Sequence, residues 1–96
     1  MSTEKAVIKV RRLEVSAAQS TLFTIEIDGL KMGRISHNRE LALEIVPGKH
    51  TITAKMDWDS SDPIEFDIQP GETALFECDW DRRMFAKNMR LERVEG

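Results

Sequence analysis

Residues 49–58 alternate without a break: His50, Ile52, Ala54, Met56 and Trp58 share one parity, and Lys49, Thr51, Thr53, Lys55 and Asp57 the other. Successive side chains of a strand point to opposite faces, so a period of two sustained this long prescribes a strand that is dry on one side and wet on the other. A slip of one residue would turn Ile52 and Ala54 into water, so the stretch also sets the register of whatever pairs with it. Pro47-Gly48 supplies the turn before it, since proline presets φ and glycine accepts a positive φ at no steric cost.

The same period recurs along the chain. Ala6, Ile8 and Val10 alternate with Val7, Lys9 and Arg11, and then Leu13 and Val15 take the opposite parity. That change predicts a first strand over about residues 5–15 with a bulge at Arg11-Arg12. Phe23, Ile25 and Ile27 lead into Asp28-Gly29, the strongest hairpin signal in the chain, with Leu30 to Ile35 as the returning strand. Leu41, Leu43 and Ile45 point in against Ala42, Glu44 and Val46, and a loop is expected over residues 59–63. Ile64, Phe66 and Ile68 form a further strand, Pro70-Gly71 repeats the earlier turn, and Ala74, Phe76, Cys78 and Trp80 alternate after it. Residues 86–94 are expected as a last strand. Seven to eight short strands with turn signals every eight to twelve residues predict an all-β fold, an antiparallel β-sandwich of immunoglobulin-like or transthyretin-like type, in a single domain over residues 1–96.

Two stretches, Ile25-Glu26-Ile27-Asp28-Gly29-Leu30-Lys31-Met32-Gly33 and Ile45-Val46-Pro47-Gly48-Lys49-His50-Thr51-Ile52-Thr53-Ala54, resemble the PEGA-type β-sandwich domains and related small bacterial domains, in which an IDG…G hairpin precedes a PGKH turn and strand. The resemblance covers about a third of the chain. It implies a transthyretin-like or immunoglobulin-like sandwich and brings no catalytic residues with it. PEGA domains are often attached to secreted or surface proteins, whereas residues 1–6 here show no basic region leading into an apolar run.

A net charge of −3 argues against a nucleic-acid-binding domain, which would carry a basic stripe. No window is apolar for long enough to span a membrane. Cys78 is the single cysteine, so an internal disulfide is excluded and a reducing, cytoplasmic setting is expected.

Between Met56 and Arg82 there is no basic residue, while nine Asp and Glu fall there. Asp57-Trp58-Asp59 and Asp79-Trp80-Asp81 repeat one tripeptide at the ends of two strands separated by one other. In a meander those strands run the same way, which would put both tripeptides at one end of one sheet, indoles inward and carboxylates outside. Clustered carboxylates suit a hard cation or a basic partner. The calcium-loop template breaks, however, because Asp62 stands where glycine is needed and Ile68 where the terminal glutamate belongs.

No zinc set is expected either: His37, His50 and Cys78 are too scattered in sequence, His50 reads as a packed strand histidine and Cys78 as a small buried hydrophobe. Nucleophile-elbow, phosphate-loop and dinucleotide motifs do not occur, and no cofactor is expected. The basic residues Arg82, Arg83, Lys87, Arg90 and Arg93 follow the acidic region and can pair with it within one chain or between two.

The reading that follows is a non-catalytic module binding a protein partner or a second copy of itself, with Asp57, Trp58, Asp59, Asp79, Trp80 and Asp81 as the contact. A small-ligand or carbohydrate platform on Trp58 and Trp80 is the alternative. An enzyme using two of the grouped carboxylates as acid and base comes last.

Overall fold

The computed structural model describes residues 4–12, 22–36, 39–56, 59–80 and 89–94. These form nine strands: β1 (Ala6–Arg12), β2 (Phe23–Ile27), β3 (Leu30–Ile35), β4 (Glu40–Ile45), β5 (Gly48–Met56), β6 (Asp59–Ser60), β7 (Ile64–Ile68), β8 (Thr73–Trp80) and β9 (Met89–Val94). One sheet has the order β4-β1-β8-β9, and the other β3-β2-β5-β6 with β7 also on β5. Since β6 and β7 share one edge of β5, each sheet has four strand positions, and the expected all-β sandwich is found. No helix among the described residues is long and apolar enough to cross a membrane.

The core lies between the sheets and is made by the alternating parities: Ile8 and Val10 of β1, Phe23 and Ile25 of β2, Ile52 and Ala54 of β5, Ile68 of β7, and Phe76 and Cys78 of β8 are all essentially without solvent exposure. Burying a side chain of this kind is worth about 1.5–3 kcal/mol.

Four points differ from expectation. First, Arg12 keeps the inward parity of Ala6, Ile8 and Val10, so no slip occurs at Arg11-Arg12; residues 13–20 lie outside the described ones. The buried guanidinium is accommodated because it stacks 3.9 Å from the centre of the Phe23 ring and donates to the Ile35 carbonyl at 3.3 Å. The bulge sits in β3 instead: Gly33 pairs with Ile25 and Lys31 with Glu26, leaving Met32 over.

Second, residues 59–63 are not all loop. Ser61 is buried, donates its N–H to the Ala54 carbonyl at 2.8 Å and accepts the Ala54 N–H on its hydroxyl at 3.0 Å, bridging β6 and β7 along the edge of β5.

Third, the chain is no meander. Residues 46–47 and the Gln69-to-Glu72 turn carry the chain from one sheet to the other, so β5 and β8 belong to opposite sheets. Gly48 and Gly71 do take the positive φ that their turns require. Fourth, β1 and β8 pair in parallel within an otherwise antiparallel pair of sheets, Val7 opposite Thr73 through Arg12 opposite Cys78.

Candidate functional site

The Asp28-Gly29 turn is built as its sequence dictates: both residues have positive φ, 54° and 83°, and Ile27 pairs directly with Leu30, the geometry of a type I′ hairpin. Because β2 pairs with β5, this turn lands beside the start of β5. The Asp28 N–H donates to the Thr51 carbonyl at 2.8 Å, and the Asp28 carboxylate accepts the Thr51 N–H at 2.9 Å. The other carboxylate oxygen lies 2.6 Å from Nδ1 of His50, whose Nε2 lies 2.6 Å from the Val46 carbonyl.

A carboxylate and a carbonyl both offer only lone pairs, so both contacts are hydrogen bonds when both ring nitrogens of His50 carry protons, and the site favours the imidazolium form. The hydrogen bond to Asp28 first, and that to the Val46 carbonyl second, hold the histidine above its ordinary range against the opposing effect of burial. The same bond to His50, followed by that from Thr51, holds Asp28 below the ordinary carboxylate range. His50 is expected to be a packed histidine with one satisfied nitrogen; it has two, and its ring also lies 5.9 Å from that of Phe66, which meets Phe76 edge-on. In the imidazolium form neither nitrogen has a lone pair to act as a base. The triad of Asp28, His50 and the Val46 carbonyl is a clasp that ties the β2–β3 turn to the crossing between the sheets.

Two clefts flank the clasp. One, of about 340 Å³, is lined by Asp28, Lys49, His50, Thr51, Glu65, Phe66 and Asp67. The other, of about 260 Å³, is a largely apolar slot between β3 and β4, the edge strands of opposite sheets, and includes Ile27, Leu30, Met32, Ile45 and Val46. Leu30, opposite the buried Ile27, is on the inward parity yet 67% exposed; Val46 is 69% and Met32 42% exposed. Farther along, the same seam is closed: a Cβ on Gly33 would meet the Leu41 side chain at 2.8 Å. The sandwich is thus sealed at Gly33 and Leu41 and open at Leu30 and Val46.

Of the residues expected to form the contact, Asp57, Trp58 and Asp81 lie outside the described residues, as do the side chains of Asp59 and Trp80. The strands that lead toward the two tripeptides, β5 and β8, belong to opposite sheets. Both strands run away from the clasp: β1 and β8 run in parallel from the end where Ala6 faces Ile45, and β5 starts at that same end. Asp79 is partly buried and stands opposite Arg90 in the β8–β9 register. Arg93 makes the intramolecular use of the basic tail real, with its guanidinium 3.3 Å from Glu72. Among the described residues no three His, Cys, Asp or Glu converge to hold a metal ion. Cys78 is buried, which pushes its thiol up to about 12, partly offset by nearby Arg12.

Fold and site together define an all-β sandwich with an open apolar seam beside a histidine clasp. No protein-family model matches the sequence, and no curated protein does. Over 97% of its length the chain is similar to the NMR structure of a protein from Eubacterium rectale, at 12% identity, with a TM-score of 0.62 and 91% of that chain covered. At that identity the likeness concerns the fold alone.

Proposed function

We propose that this chain is a non-catalytic β-sandwich module that binds polypeptide, and that its contact surface is the slot between β3 and β4. The observation that carries the reading is Leu30, an inward-parity leucine left 67% exposed, with Met32 and Val46 beside it at the mouth of the slot. Isolated exposed hydrophobes are ordinary, but three converging on one cleft mark a surface that is covered in use. Two edge strands border the slot, and an extended segment laid along either would gain main-chain hydrogen bonds as well as apolar contact. On this reading the contact lies at the clasp end, whereas the sequence alone points to Asp57, Trp58, Asp59, Asp79, Trp80 and Asp81.

A photoreactive side chain introduced at position 46, with position 92 on β9 as control, tests the reading. Irradiation is expected to give a discrete polypeptide adduct from position 46, absent from position 92 and lost on Leu30→Asp. No adduct that depends on Leu30 would overturn it.

A further inference from the structure

The slot has two rims of opposite charge. Lys31 and Arg34 are exposed on β3, and Glu40 and Glu44 are exposed on β4. None of the four is ion-paired among the described residues. Lys31 stands opposite Glu26 and Arg34 opposite Thr24, so both lie on the outward parity of their sheet, while Glu40 and Glu44 lie on the outward parity of the other. The side of the sandwich therefore carries a mainly basic border, an apolar seam and a mainly acidic border, with Asp28 at the end of the first and Lys5 at the end of the second also lining the slot.

The two borders run antiparallel across the seam. Leu41 lies against Gly33, and Leu30 shares the slot with Ile45 and Val46. Counting outward from Gly33 and Leu41 brings Arg34 level with Glu40. In the other direction the bulge at Met32 takes up one residue of β3 and brings Lys31 level with Ala42, between Glu40 and Glu44 on the outward parity of β4.

A two-fold axis along the seam leaves heights unchanged and exchanges left for right, so it lays β3 of one copy beside β4 of the other. Those strands would be antiparallel, the basic border of each copy would meet the acidic border of the other, and the two open seams would cover one another. The patch is self-complementary in the way that an isologous dimer requires. We infer that the occupant of the slot is a second copy of this chain, related by a two-fold axis along the β3–β4 seam, with Arg34 facing Glu40 of the other copy and Lys31 lying between its Glu40 and Glu44. The inference rests on the reading of the slot as the contact surface. Leu30, Met32 and Val46 supply the affinity; the exposed charges contribute little net binding and set orientation and partner choice.

Sedimentation equilibrium over a concentration series tests this. The chain is expected to reach twice its 11.0 kDa mass. Two doubly substituted chains then give the decisive comparison: Lys31→Glu with Arg34→Glu makes both borders acidic, and Glu40→Lys with Glu44→Lys makes both basic. Each alone should dimerise at least tenfold more weakly than the parent, and a one-to-one mixture should recover a dimer, because both contacts become complementary again. A parent chain that stays monomeric at every concentration, or a mixture that does not associate, overturns the dimer. If the parent is monomeric while position 46 still gives a Leu30-dependent adduct with another polypeptide, the module reading stands and only the identity of the occupant is wrong. If neither dimer nor adduct forms, both fall.

Discussion

At the scale of single residues, the informative contact is the one between Asp28 and His50. Parity puts His50 on the inner face, and Asp28-Gly29 announces a hairpin, but they are 22 positions apart and meet only because β2 pairs with β5. Neither residue alone signals the clasp. Its titration has two limits. His50 is raised in the folded chain, so its contribution is fully present below its unfolded value of about 6.5 and is lost as pH rises through the higher folded value. Asp28 is lowered, so its contribution is present above about 3.9 and is lost as pH falls through the lower folded value. The clasp is therefore strongest between about pH 4 and 6.5. His50→Gln is expected to lower stability by about 1 kcal/mol in that window, the half-exposed carboxylate being screened by water. The difference in melting temperature from the parent chain should narrow toward pH 9, and a gap independent of pH would mean that His50 acts through packing alone. Cys78, in contrast, reads correctly from sequence as a small buried hydrophobe. With its thiol pushed up to about 12 and closed off from solvent, it should react with a disulfide reagent at pH 8 no faster than the chain unfolds. Rapid labelling of the native chain would contradict that.

At the scale of elements, what depends on neighbours in sequence was legible and what depends on neighbours in space was not. The type I′ turn is legible because Asp28 and Gly29 have the local chemistry it needs, and both have the positive φ expected. Gly29 at φ 83° has open space where a Cβ would go, so Gly29→Ala should cost only the backbone strain of about 1–2 kcal/mol. Urea unfolding should show the midpoint falling with an unchanged slope; a changed slope would mean that the hairpin register had shifted. A parity change after Arg11 predicts a bulge in β1, but the bulge occurs at Met32. Parity cannot separate a strand that bulges from one that admits an arginine to its dry face, as β1 does by laying Arg12 over Phe23.

For the whole molecule, alternation shows which side of each strand is dry, but not which sheet the strand joins. Residues 46–47 and the Pro70-Gly71 turn look from sequence like hairpin signals, yet each carries the chain across the core. That is why β5 and β8, which lead toward Asp57-Trp58-Asp59 and Asp79-Trp80-Asp81, lie in opposite sheets and not in the single sheet expected. The same ambiguity hid the slot, because Leu30 has the parity of a core residue, and only the end of β4 near it leaves it uncovered. Folding and association should therefore separate by position. Ile8 is wholly buried at the centre of its sheet, between β4 and β8, so Ile8→Ala should cost about 2–5 kcal/mol, a large share of the 5–15 kcal/mol that a domain of this kind has. Leu30→Asp should change stability by no more than about 0.5 kcal/mol, as surface positions do, while abolishing association through the seam. Urea unfolding of both variants, at concentrations where the parent is monomeric, measures this. A loss on Leu30→Asp comparable to that on Ile8→Ala would make Leu30 part of the core and the slot no surface at all.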